Sequence, residues 1–255
     1  MKLTKKMKLT MAGLLSLSLL ASIALPINVN AESTETINVV TTLTGDNDYS
    51  ETYTYDSNGL ITKKANSYDV VSKYTYKKGL LTKMTTKSSG YTDKYTYKYD
   101  KKNRVIKMSG KSSDGFKTTS TYKYGKKNRV AKQVYKESGP EAIGTPLNYT
   151  YTYNKNGYIT KEKHSGFDKN SVSYAYDANG NMTKSKDKNT AITVENTYED
   201  GKLVSQKITT KAYGEVTTST KTYTYQEVTV PKKYVNTVKA QQRAILNTSI
   251  PRFVY

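Results

Sequence analysis

The chain of 255 residues has no cysteine and no tryptophan, a single histidine, five prolines and three phenylalanines. Without cysteine there is no disulfide framework and no lipid-modified cysteine behind an export signal. One histidine and no thiol leave little for catalysis. A Ser–His–Asp triad would have to use His164, and no serine sits in a nucleophile-elbow context. A zinc site needs more His or Cys than the chain has. Long hydrophobic runs are also scarce, with one exception at the N-terminus.

What is abundant is lysine and tyrosine. The chain carries 41 Lys and Arg against 21 Asp and Glu, a formal charge of +20, and it has 25 tyrosines. With so few leucines and phenylalanines, burial must fall largely on tyrosine, whose ring is apolar while its hydroxyl needs water or a partner. The N-terminal exception reads as a secretory signal. Lys2, Lys5, Lys6 and Lys8 precede the apolar run Met11 to Leu25, and Val29-Asn30-Ala31 offers a small-residue cleavage site. Residues 1–31 are therefore assigned as a signal peptide, and no membrane span is expected after its removal.

The rest is organised by a repeat. Anchored on the last tyrosine of a YxY pair, full-length copies begin at Tyr55, Tyr99, Tyr124, Tyr153 and Tyr176. Copies one residue shorter begin at Tyr76 and Tyr198, and Tyr225 opens a degenerate eighth. Asp, Asn or Gly follows the anchor, and Gly or Asn stands three residues later. This is the chemistry of a type I turn closed by a residue at positive φ. Lys78-Gly79 and Asp200-Gly201 suit two-residue type I′ loops. Around each turn tyrosine alternates with threonine and lysine, as in half-buried antiparallel strands. The loop predicts Tyr55 opposite Ile61 and Tyr53 opposite Lys63 on one face. The same count pairs Tyr97 with Lys107, Tyr122 with Lys132, Tyr151 with Lys161, and Tyr174 with Lys184.

One hairpin cannot stand alone, so the hairpins must pair edge to edge. Some fifteen strands exceed what an open twisted sheet usually holds, which leaves curling, closure or a fold-over into two layers. The segments Tyr174-Ala175-Tyr176-Asp177-Ala178-Asn179-Gly180-Asn181 and Tyr53 to Thr62 resemble the tyrosine–aspartate (YD, or RHS-type) repeats of bacterial exported and cell-surface proteins. The resemblance runs from about Asp48 to Val230. It implies long β-sheets wound into a shell, which in some members encloses a C-terminal toxin. This chain has fewer repeats, no segment read as an effector domain, and lysine where the family often has arginine and acids. The expected fold is accordingly all-β: tandem hairpin repeats over residues 32–230 in an extended, curled or rolled meander. A capping segment follows over 231–255, where Val235, Val238, Gln242, Ile245 and Leu246 have helical spacing.

Functionally, these readings point to a non-enzymatic exported protein of the cell surface or extracellular space. The recurring Asp56, Asp100 and Asp177 could suggest paired catalytic carboxylates, but turn chemistry already accounts for them. Asp46 and Asp48 lack the glutamate of a calcium loop. No cofactor or metal is expected. The expected site is the Tyr–Lys surface formed by the five pairs Tyr53/Lys63 to Tyr174/Lys184, taking an anionic cell-wall polymer or polysaccharide. Nucleic acid fits the charge but not export. Two alternatives stand beside this: a carbohydrate-binding module stacking sugars on exposed tyrosines, and a purely structural surface or matrix protein. The plainer reading of the same residues makes the tyrosines the core and the lysines a solvated surface.

Overall fold

The computed structural model describes residues 33–140, 142, 144–166 and 169–247. The signal-peptide assignment and the last eight residues lie outside them. Sixteen strands follow in order. They are β1 (Thr34–Thr44), β2 (Ser50–Tyr55), β3 (Ile61–Asn66), β4 (Val71–Lys77), β5 (Leu80–Ser88), β6 (Tyr91–Tyr99), β7 (Val105–Ser112) and β8 (Lys117–Tyr124). After these come β9 (Val130–Ser138), β10 (Leu147–Tyr153), β11 (Ile159–Ser165), β12 (Ser171–Tyr176), β13 (Met182–Lys186), β14 (Thr190–Glu199), β15 (Lys202–Ala212) and β16 (Glu215–Pro231). One helix, α1 (Lys232–Leu246), ends the described chain.

Every strand pairs antiparallel with its sequence neighbours, and β16 pairs with β1, so the sheet closes into a barrel. This corrects the extended, curled or rolled meander. The closing device is β1, which precedes the repeats. In each turn hairpin the anchor tyrosine stands opposite an apolar residue, and the next residue is skipped: Tyr55 faces Ile61 with Thr62 extra, and Tyr99 faces Val105 with Ile106 extra. At the seam Tyr225 faces Val40 with Thr41 extra. Strand β1 is thus the outgoing strand of the eighth repeat, delivered from the other end of the chain. Closure leaves neither end of the sheet unpaired, which removes the edge problem of an open sheet.

The skipped residue is a β-bulge, and it changes which side chains share a face. Beyond it Thr54, not Tyr53, stands opposite Lys63, and Tyr53 stands opposite Lys64. The same flip puts Lys107 beside Lys98, Lys132 beside Lys123, Lys161 beside Thr152 and Lys184 beside Ala175. Tyrosines point inward and the predicted lysines outward. The turn chemistry itself is as read: Asp56 Oδ1 accepts the N–H groups of Asn58 and Leu60 at 2.9 Å, and Gly59 has φ +76°. Lys78 and Gly79 both have positive φ.

The interior is a side-chain core. Tyr53, Tyr74, Tyr95, Tyr97, Tyr122, Tyr151 and Tyr223 are each at most 9% exposed, in one cluster with Val40, Ile61, Met84 and Met108. The anchor tyrosines form a second ring. Each donates its hydroxyl to the bulge carbonyl of the preceding repeat, as in Tyr55 to Val40 at 2.5 Å, Tyr76 to Ile61 at 2.9 Å, Tyr99 to Leu81 at 2.8 Å and Tyr124 to Val105 at 2.8 Å. Tyr153, Tyr176 and Tyr225 do the same to Val130, Ile159 and Leu203. Tyr198 departs, donating to Asp177 Oδ2. So seven of the eight anchor phenols meet a backbone acceptor with their polar end.

Helix α1 covers the turn end of the barrel. Val235 and Val238 pack in a small core with Ile37, Val39, Leu60 and Val230, while Ala244 and Ile245 join the main core. Its amides complete the barrel's hydrogen bonds. Gln242 Oε1 accepts the N–H of Val40 at 2.8 Å and Gln241 Oε1 that of Ile61 at 3.2 Å. Just past the helix, Asn247 Oδ1 accepts the N–H of Met182 at 2.7 Å. These three donors are bulge positions of three repeats.

Candidate functional site

The structure separates the two halves of the expected Tyr–Lys surface. Tyr53, Tyr97, Tyr122 and Tyr151 are buried at 6–9% exposure, and Tyr174 is half-buried against the same core. Lys63, Lys132, Lys161 and Lys184 are exposed and Lys107 is half-exposed, all on the outer face. Rings at this depth offer no platform for stacking sugars, so the aromatic-platform alternative loses its surface. The lysine that does face Tyr53 is Lys64, inside the barrel. Its ammonium pairs with Glu51 at 2.8 Å, and the carboxylate also takes hydrogen bonds from Tyr49 and Tyr53. Burial alone would push Glu51 up. The Lys64 charge and these hydrogen bonds outweigh it and hold the carboxyl at about 2.

Polar groups of this kind line the interior away from the helix. Tyr151 donates to Gln133 at 2.8 Å, whose amide nitrogen reaches Ser120 at 3.0 Å. Tyr223 donates to Gln206 at 2.5 Å, and Gln206 to Asn196 at 2.8 Å. His164 sits beside Glu162 and edge-on to Tyr149. Gln133 and Gln206 satisfy buried tyrosine hydroxyls. Sequence reading missed them because the bulge that turns Lys64, Gln133 and Glu162 inward does not show in a residue count. The recurring aspartates act in turns: Asp100 Oδ1 accepts the N–H of Lys102 and Arg104, and Asp177 Oδ1 those of Asn179 and Asn181. Asp46 caps the N–H of Thr220 at 3.1 and 3.2 Å.

The outer wall is the surface that remains, and its charge is uneven. Residues 91–138, from the start of β6 to the end of β9, hold fourteen lysines and arginines against four acids. Residues 190–230, spanning β14 to β16, hold four lysines against five acids. On the basic side Lys94, Lys111 and Lys117 stand side by side on β6, β7 and β8. A second row pairs Lys98 with Lys107. Between the rows runs a row of hydroxyls, Thr96–Ser109–Thr119. Lys83 on β5 and Lys136 on β9 close its two ends. Three hydroxyl side chains are thus flanked by seven lysines, with Thr121 on β8 opposite Lys107 at the remaining place of the second row. The nearby acids Asp93 and Glu137 belong to the inward set, Asp93 opposite Ser112 and Glu137 bonded to the inward Tyr135. With strands about 4.8 Å apart and outward residues about 6.8 Å apart along a strand, the lysine rows lie about 13–14 Å from each other.

The sequence matches no protein-family model and no curated protein. Among solved structures it is similar to a porin-like protein from Bacteroides uniformis. That alignment has a TM-score of 0.53 and 12% identity, covering 73% of this chain and 98% of that one. A porin-like protein from Bacteroides vulgatus aligns at TM-score 0.42 and 11% identity, over 74% of this chain and 99% of that one. TcdB2-TccC3 without its hypervariable C-terminal region aligns at TM-score 0.33 and 14% identity, over 68% of this chain but only 10% of that one. The first shows a shared fold, and the two weaker alignments carry no argument. Together with the closed sheet, the porin-like fold overturns the YD-repeat assignment. The reason is physical. Alternating tyrosines before an Asp-x-x-Gly turn specify a hairpin, and the same hairpin serves a wound shell or a closed barrel.

Proposed function

We propose that this protein is a non-enzymatic, exported barrel that binds acidic cell-wall or extracellular polymers through the basic outer wall of β5 to β9. The observation that carries this reading is the lysine-flanked hydroxyl strip, where lysine stands directly opposite lysine with no outward acid between. Like charges opposite each other destabilise a sheet. An external anion relieves that repulsion, and a wall lined this way attracts one. Export is read from the signal sequence at residues 1–31, with the protein either released or held non-covalently at the cell surface.

The outer wall also bears on what a porin-like fold means here. A barrel that faces lipid carries an apolar band outward, and each outward lysine at the bilayer midplane costs about 2–4 kcal/mol. In this chain the apolar rows face inward and lysine and threonine face outward. That polarity suits an aqueous setting. The test is retention on isolated cell walls. The protein should bind walls that carry acidic polymer, release as salt rises from roughly 0.05 to 0.5 M, and ignore walls stripped of that polymer. Equal retention on stripped walls, or binding indifferent to salt, would contradict the proposal.

A further inference from the structure

The strip on β6 to β8 narrows the class of polymer, an inference that rests on the reading above. We infer that Thr96, Ser109 and Thr119, with the lysine rows flanking them, form a track for a single extended polyol-phosphate chain, in which anionic phosphodiesters alternate with hydroxyl-bearing units.

Donors and acceptors decide the match. Lysine ammonium groups only donate, whereas threonine and serine hydroxyls both donate and accept. The outward side chains place the two kinds largely in separate rows: Lys94–Lys111–Lys117 on one side, Lys98–Lys107 with Thr121 at its β8 end on the other, Thr96–Ser109–Thr119 between. A ligand carrying only charge, such as inorganic polyphosphate, accepts from the ammonium rows and from the hydroxyls, but offers the hydroxyl oxygens no donor in return. A polymer whose phosphates are separated by free hydroxyls matches both. Phosphates meet the lysines, and polyol hydroxyls exchange hydrogen bonds with Thr96, Ser109 and Thr119. The width of about 13–14 Å between lysine rows admits one strand lying across the sheet. Nucleic acid fits less well. Single strands are held by stacking bases on aromatic or arginine side chains. On β6 and β8 the tyrosines of the YxY pairs are turned inward, and the outward neighbours of the strip are lysine and threonine.

The experiment compares three probes at roughly 0.15 M salt: poly(glycerol phosphate), inorganic polyphosphate of matched charge, and single-stranded DNA. Each is titrated against the full-length mature protein, a T96V/S109V/T119V variant and a K94Q/K111Q/K117Q variant, with circular dichroism and melting temperature confirming the fold. The wild type should prefer poly(glycerol phosphate) over polyphosphate by about tenfold, the equivalent of one to two hydrogen bonds. The valine variant should lose that preference while keeping its polyphosphate affinity, and a T96S/T119S variant, which retains the hydroxyls, should keep it. The glutamine variant should weaken binding of every polyanion. Equal wild-type affinity for polyol phosphate and polyphosphate, an unchanged preference in the valine variant, or tighter binding of DNA would overturn the track while leaving a polyanion-binding wall. Failure of the wild type to bind any of the three would overturn the polyanion reading itself.

Discussion

Glu51 and Lys64 show what single residues contribute inside this barrel. Their pair is mostly buried, with each side chain 11% exposed. Removing one partner of such a pair strands a charge and typically costs about 3–5 kcal/mol. Glu51→Gln should therefore lower the stability measured by denaturant unfolding at neutral pH by an amount in that range. The pH dependence has a definite sign. The folded carboxyl is held at about 2 against an ordinary 4.5, so its contribution is fully present above the unfolded value and fades as pH falls from about 4.5 toward 2. Wild-type stability should drop through that window more steeply than that of Glu51→Gln, and parallel curves would count against the pair. Gly110 is a second sensitive position. A Cβ there would lie 2.5 Å from the Tyr95 ring and would also clash with Thr118 Oγ1. Gly110→Ala should destabilise by about 1–3 kcal/mol through overpacking, seen as a lower melting temperature with an unchanged strand spectrum.

At the scale of elements, the repeat is a hairpin plus a carbonyl for the next tyrosine. Its turn was legible because Asp and Gly each have a local mechanism: Asp56 accepts two turn amides and Gly59 takes positive φ. The tyrosine rows were legible from alternation alone. The bulge was not, because Thr62, Thr82 and Thr160 are extra residues only relative to a partner strand, and nothing in their own identity marks them. That one unseen residue moved the lysines from the tyrosine face to the opposite face and hid the strip on β6 to β8. The same strip has a trace in the sequence, since Lys94, Thr96 and Lys98 alternate with Tyr95, Tyr97 and Tyr99. The helix was legible from its spacing, but the role of its amides was not. Gln241 and Gln242 each accept a buried backbone donor of a different strand. Gln241→Ala and Gln242→Ala should each cost about 1–3 kcal/mol by leaving an N–H unpaired. Hydrogen exchange should speed up at Ile61 in the first and at Val40 in the second, and exchange unchanged at both sites would show that the helix does not tie the strands.

For the whole molecule, the seam between β1 and β16 decides the architecture. Composition and turn chemistry establish hairpins, and they leave the closing of the sheet open. Closure depends on Asn38 to Leu43 imitating an outgoing repeat strand, which becomes visible only when Val40 is seen to occupy the place that Ile61 holds elsewhere. A closed core made of tyrosine also carries a spectroscopic signature. Burial raises the phenols of Tyr97 and Tyr151 well above their ordinary range, and pushes Tyr124 and Tyr149 up to about 12. Groups raised in the folded state stabilise it below the unfolded value of about 10 and lose that contribution as pH climbs through the folded values. Phenolate absorbance should therefore lag through pH 10–12 and then rise together with loss of the strand spectrum. Smooth ionisation of most tyrosines near pH 10, in protein that is still folded, would contradict an interior packed with tyrosine.

Charge is the property that joins this fold to a function, and it is distributed rather than uniform. Two variants with the same loss of charge separate a binding face from a merely basic protein. K94Q/K111Q/K117Q removes three lysines from the strip, and K202Q/K207Q/K211Q removes three from β15 on the weakly charged side. Affinity for isolated acidic wall polymer, measured for both at one salt concentration, is predicted to fall about tenfold or more in the first and to stay within about twofold of wild type in the second. Equal losses in the two variants would contradict the account.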